Sequence, residues 1–74
     1  MKEKVIKILK GIILAKGKEF DFEINNETRL REDLGLTSFD LAELTVKIED
    51  EFDVDIFEDG LVSTVGEIFA KLQA

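Results

Sequence analysis

Three stretches of the chain repeat apolar residues at the spacing of an α-helix. Val5, Ile8, Leu9 and Ile12 recur at i, i+3, i+4 and i+7, Ile6 and Ile13 widen the stripe, and Lys2, Lys4, Lys7 and Lys10 form a wet side. This pattern predicts a first helix ending near Gly17. Leu41, Leu44, Ile48 and Phe52 share one narrow arc at about 100° per residue, which predicts a second helix from about Ser38 to Phe52. Val65, Ile68, Phe69 and Leu72 repeat the first template, and Thr64-Val65-Gly66-Glu67 reads as a capping box that opens the third helix. A short turn or helix is expected near Phe57–Leu61. The predicted fold class is all-α: a small bundle of three main helices plus one short helix, in a single domain over residues 1–74.

Between the first two helices lies a long connection, roughly Gly17 to Thr37. Loops beyond about 12–15 residues need a reason. Here the reason is a set of apolar anchors, Phe20, Phe22, Ile24, Leu30, Leu34 and Leu36, expected to pin an ordered loop across the helices. Phe20, Phe22 and Ile24 also alternate as a strand would. Their only candidate partner is Val54–Phe57, and two short strands are marginal, so a strand is rejected. Thr28 to Leu34 is expected to form a helical turn.

Composition narrows the function classes. The net charge is −7, unevenly spread: residues 1–18 carry +5 and residues 19–74 carry −12. So acidic a body repels nucleic-acid phosphates and attracts basic proteins. The longest apolar run, Ile12 to Ala15, is too short to span a bilayer, and the basic start lacks the features of a signal peptide. There is no cysteine and no histidine, which argues against disulfides and zinc and suits a reducing cytoplasm.

Candidate chemistry is sparse. A serine nucleophile needs a base, most often histidine, and paired carboxylates need a pocket that a bundle this small has little room for. No enzyme activity is expected. Asp53, Asp55 and Asp59 suggest a calcium loop, but Phe57, Glu58 and Thr64 stand where that motif needs a ligand, a glycine and a glutamate. A solvated acidic turn is the better reading. The lysine-rich first helix would suit an anionic membrane surface, although its apolar stripe is more simply a core face.

Ser38 draws two readings. Serine favours helix N-termini, so it is a candidate cap. Thr37 is equally fit to cap, with Asp40 three residues on in a box-like position. Ser38 then falls in the first turn with a free hydroxyl, where unpaired amides and the positive end of the helix dipole suit an attached phosphate. Phe39, Ala42 and Val46 lie opposite the core arc, edged by Glu43, Asp50 and Asp53. Such a strip is either an ordinary wet face or a docking surface. Glu49, Asp50 and Glu51 also oppose the dipole at the helix's C-terminal end.

The stretch LREDLGLTSFDLAELTVKIEDEFDVDI, Leu30 to Ile56, resembles the core of acyl carrier proteins and related carrier domains. Leu34-Gly35 is similar to the family's leader, Glu51-Phe52 and Thr64-Val65 fit its later landmarks, and Ser38 matches the serine that bears 4′-phosphopantetheine. The resemblance implies that a phosphopantetheinyl transferase loads Ser38 from coenzyme A, and that the arm's thiol holds an acyl group between enzymes of fatty acid, polyketide or related biosynthesis. It implies a monomer that meets basic partner enzymes through Phe39, Asp40, Glu43, Val46, Glu49 and Asp50. Leu44, Ile48, Ile56, Leu61, Val62 and Ile68 would partly shelter a fatty chain. Two positions depart from the family pattern: Thr37 replaces an aspartate and Phe39 a leucine, which bears on the choice of transferase. The segment from Ile56 to Thr64 is also about two residues shorter than in typical fatty-acid carriers. The rival readings are an unmodified interaction module, and an aminoacyl, peptidyl or D-alanyl carrier domain.

Overall fold

A computed structural model describes residues 1–18, 23–58 and 60–73. It contains three helices, α1 (Lys2–Ala15), α2 (Ser38–Phe52) and α3 (Val65–Gln73). The expectations placed on Phe20, Phe22 and Asp59 fall outside the described residues.

The helix ends follow from local chemistry. Past the C-cap of α1, Gly17 adopts φ 80°, a left-handed conformation that suits glycine. There the Gly17 amide donates to the Leu14 carbonyl and the Lys18 amide to Ile13, the paired bonds of a Schellman stop. At the start of α2, Thr37 is extended and its hydroxyl accepts from the Asp40 amide, while Asp40 accepts from the Thr37 amide. A second reciprocal box opens α3: Glu67 accepts from the Thr64 amide and Thr64 Oγ1 from the Glu67 amide.

All three apolar stripes meet in one core. Val5, Leu9, Ile12 and Ile13 come from α1, Leu41, Leu44 and Ile48 from α2, and Val65, Ile68 and Phe69 from α3. Ile6, Ile8, Phe52 and Leu72 are only half-buried and pack at its margin. In the described part of the long connection, Leu30, Leu34 and Leu36 are buried in the same core, as expected. The chain turns at 29–35 through bonds from the Asp33 and Leu34 amides to Arg29 and from Gly35 to Arg31.

One tertiary feature was not expected from the periodic pattern. Residues 26–30 run against 63–66, with an antiparallel bridge between Arg29 and Thr64. The amides of Leu30, Val65 and Gly66 donate to Ser63, Thr28 and Asn26 at 2.9, 2.9 and 3.0 Å. This strap ties the connection to the start of α3. Among the described residues, the short segment before α3 forms no fourth helix. It is a pair of turns, in which the Glu58 amide donates to the Asp55 carbonyl and Gly60 to Phe57. Asp55 Oδ1 accepts from the Phe57 amide at 3.0 Å, an Asx turn that competes with helix formation.

α1 and α2 run antiparallel, and charges couple both ends of the pair. At one end Lys4 meets Glu51 at 2.8 Å. At the other, Lys16 forms an ion pair with Asp40 and also donates to the Gly35 carbonyl. Asp40 is only 6% exposed. The Lys16 ammonium, then the Thr37 amide, hold its carboxyl below the usual aspartate range.

Two predictions follow from this packing. A Cβ on Gly66 would lie 2.8 Å from the Asn26 carbonyl oxygen, a backbone atom, whereas a Cβ on Gly11 meets nothing within 4 Å. Gly66→Ala should therefore cost about 1–3 kcal/mol by overpacking, and Gly11→Ala should stabilise by up to about 1 kcal/mol through helix propensity. Urea denaturation of the two variants reads the opposite signs. Asp40 gives the second. Its folded pKa is depressed, so its contribution is present in full above the unfolded value of about 3.9 and is lost as pH falls through the folded value. Asp40→Asn should be less stable than the parent at pH 7, with the gap closing on acidification below about pH 4. A gap that stays constant from neutral to acid would refute the assignment.

Candidate functional site

The site is built on the first turn of α2. Thr37 serves as the cap, so Ser38 has no capping duty. Its side chain is exposed, and Ser38 Oγ accepts one hydrogen bond, from Arg31 Nη2 at 2.7 Å. Among the described residues no acceptor meets the amides of Ser38 and Phe39. They remain as outward donors at the positive end of the helix dipole.

A groove of about 330 Å³ opens beside Ser38, lined by Arg31, Ser38, Leu41, Ala42, Thr45, Phe57 and Leu61. Its α2 wall follows from helix geometry: positions 38, 42 and 45 lie on one flank at i, i+4 and i+7. Thr45 turns its hydroxyl back to the Leu41 carbonyl at 2.8 Å, which leaves its methyl to the groove. A second, more enclosed cavity of about 300 Å³ adjoins it, adding Leu30, Glu32, Val62 and Ser63 to the shared Arg31, Leu41, Phe57 and Leu61.

The residues expected to meet partners separate. Phe39 is 78% and Val46 68% exposed, on the face of α2 turned away from the core. Glu49 and Asp50 are exposed near them, and half-buried Glu43 lies 3.8 Å from Lys47. Asp40 does not join this strip; it is turned inward onto Thr37 and Lys16. The expected cargo residues separate as well. Leu44, Ile48, Ile56 and Ile68 are closed in the core, Val62 lines the enclosed cavity, and Leu61 is 88% exposed at the groove's outer wall.

Sequence reasoning did not bring Arg31 or Phe57 to this site. Arg31 reaches Ser38 across a turn, seven positions upstream, where no periodic pattern registers it. Phe57 comes from the turns before α3, where the fold of a loop decides its neighbours. Among the described residues, no cluster of acidic side chains is placed to hold a metal ion, and no helix is long and apolar enough to cross a membrane.

The arrangement fits a covalent phosphodiester arm. The oxygen that would carry it is exposed, amide donors face the phosphate position, and an apolar-walled groove runs alongside for the chain that follows.

Comparison with known proteins agrees. Residues 3–71 match the family model described as a phosphopantetheine attachment site. The acyl carrier protein of Thermotoga maritima is 32% identical over 74 residues, covering 97% of this chain and 91% of its own length. The mitochondrial acyl carrier protein of Saccharomyces cerevisiae is 37% identical over 54 residues, 73% of this chain and 43% of the yeast protein. The acyl carrier protein of Trieres chinensis is 35% identical over 54 residues, covering 70% of this chain and 68% of its own. With an exposed serine at a helix start in an acidic three-helix frame, and a family match across nearly its whole length, the chain belongs to the acyl carrier protein family, whose cofactor is covalent 4′-phosphopantetheine.

Proposed function

We propose that this protein carries acyl intermediates as thioesters on a 4′-phosphopantetheine arm attached to Ser38, and shuttles them between enzymes of fatty acid, polyketide or related biosynthesis. The observation that carries the reading is the division of labour at the start of α2. Thr37 and Asp40 close the helix end, and the next hydroxyl is left exposed over unpaired amides. Loading by a phosphopantetheinyl transferase forms the bond from Ser38 Oγ to the phosphorus that bears pantetheine, breaks the pyrophosphate of coenzyme A with 3′,5′-adenosine diphosphate as the leaving group, and passes the serine proton to a base on the transferase. The arm supplies the thiol that this chain lacks.

Docking is read from the outer face of α2. Phe39 and Val46 offer apolar contact, and Glu43, Glu49 and Asp50 supply the charge that draws a basic partner. Burial of Asp40 removes it from this role, so the acids that steer encounter lie further along the helix. The groove and cavity at Leu41, Phe57, Leu61 and Val62 give the first methylenes of a cargo chain an apolar wall. Leu44, Ile48, Ile56 and Ile68 would shelter more of it only if the core opened.

Loading is tested by mass spectrometry. Incubation with coenzyme A and a broad-specificity transferase should add one phosphopantetheine to the protein and none to Ser38→Ala. An unshifted parent mass with an active transferase would sink the carrier reading and leave an interaction module.

Docking is tested by charge reversal. Glu43→Lys and Asp50→Lys should each slow transfer to a basic partner enzyme several-fold at low salt, with the difference shrinking as salt screens the encounter. Neither should unfold the domain: the Glu43–Lys47 pair contributes about 0.3–0.5 kcal/mol, and a lysine at position 50 complements the helix dipole. Unchanged transfer rates at low salt would refute the steering role.

A further inference from the structure

The two arginines of the connection are treated differently by their neighbours. Arg29 is neutralised: Asp33 lies 3.4 Å and Glu32 3.9 Å from its guanidinium. Arg31, two residues on, meets a neutral hydroxyl instead, Ser38 Oγ at 2.7 Å. Among the described residues no carboxylate lies within ion-pair distance of it. In a chain of 17 acidic and 10 basic side chains, a cation beside the modification site has been left without an acid. One of the five guanidinium donors is used there, and Arg31 is one of the residues that line the groove.

The position of Arg31 is held by the fold. Leu30 before it and Leu34 after it are buried, and the Arg31 carbonyl accepts the Gly35 amide at 3.0 Å. The side chain therefore starts from a fixed backbone and crosses to the first turn of α2. It lines the groove together with Ala42 and Thr45 of α2 and with Phe57 and Leu61.

We propose that Arg31 is a phosphate clamp: its guanidinium binds the phosphodiester attached to Ser38 and directs the arm into the groove along Phe57 and Leu61, away from the exposed Phe39 strip. This inference rests on the reading of Ser38 as the attachment site. A phosphorus bonded to Ser38 Oγ brings its free oxygens into the same reach as the oxygen that Arg31 already contacts. A bond to a neutral acceptor is then replaced by one to an anion, and planar guanidinium geometry favours a two-point contact with phosphate. The amides of Ser38 and Phe39 bind the phosphate from the helix side and Arg31 from the connection side, so the group is gripped between two elements. Between encounters the arm lies against the groove, and a docking partner draws it out by competing for the phosphate.

The test uses the intact protein loaded from coenzyme A, with loading read by mass, in the parent, Arg31→Gln and Arg31→Lys. In the loaded parent, the ³¹P resonance of the phosphodiester should stand apart from its position in the same protein unfolded in urea. In Arg31→Gln it should move most of the way back, and in Arg31→Lys part of the way. Loading should also shift the NMR signals of Phe57 and Leu61 in the parent and leave them nearly unmoved in Arg31→Gln. High salt should bring parent and variant together. Fully loaded parent and Arg31→Gln with coincident ³¹P lines, and equal shifts at Phe57 and Leu61, would overturn the clamp and leave the carrier reading intact. A parent that accepts no arm would overturn both.

Discussion

The start of α2 depends on where one carboxylate is spent. Asp40 accepts from the Thr37 amide at 2.9 Å and from the Thr37 hydroxyl at 3.0 Å, and it pairs with Lys16 from the end of α1. Lys16 reaches on to the Gly35 carbonyl at 3.4 Å, so one ammonium joins α1, the connection and α2. This knot fixes where the helix begins. With the cap assigned to residue 37, residue 38 falls in the first turn with its hydroxyl outward. Were Ser38 itself the cap, its oxygen would be tied to an amide two or three residues on, and nothing could be attached there without opening the helix. The accessible hydroxyl is thus a consequence of a neighbouring, mostly buried interaction.

The same packing explains charges that look misplaced along each helix. Lysines at the start of α1 and acids at the end of α2 both oppose their own dipoles. In the antiparallel pair, each end lies beside the opposite end of its neighbour. Lys4 sits by the negative end of α2 and Glu51 by the positive end of α1, and the two meet at 2.8 Å. The Lys4 ammonium holds the Glu51 carboxyl below the usual glutamate range. Glu51 therefore has a structural occupation, although an exposed pair of this kind contributes little. Glu49 and Asp50, two and one positions earlier on the helix, have no such pairing with α1 among the described ion pairs. They are the acids on which the proposed docking relies.

Local chemistry was legible in the sequence and chain crossings were not. The capping pairs Thr37–Asp40 and Thr64–Glu67 are three residues apart, so their spacing alone marked where α2 and α3 begin. The apolar anchors Leu30, Leu34 and Leu36 announced that the connection is ordered. What they could not announce was the strap between 26–30 and 63–66, because its bonds are made by backbone amides that any sequence possesses. Only Gly66 carried a trace of it, as a glycine in a first helical turn where a side chain would strike Asn26. The resemblance put Asp40 among the residues that meet partners, and its inward turn was not legible for a related reason: Lys16, with which it pairs, lies 24 residues away.

The three sides of α2 show why this helix can hold the functional groups while the others serve as support. Its core side, Leu41, Leu44 and Ile48, is sealed against α1 and α3. The side with Asp40 and Glu51 is pinned to α1 by Lys16 and Lys4. The buried core side sets the rotation of the helix about its axis, and the Lys16–Asp40 pair holds its first turn against α1. What is left exposed is a continuous sector running from the Ser38 flank, through Ala42, to Phe39 and Val46. A carrier must present its attachment point and its docking surface together, in one fixed relation, to enzymes that differ in shape. Placing both on a single helix, clamped on two sides, holds that relation to the rigidity of one secondary-structure element and not to the looser packing between elements. The exposed phenylalanine next to the serine takes no part in the core, and under the proposed function it would give a partner an apolar contact one residue from the arm.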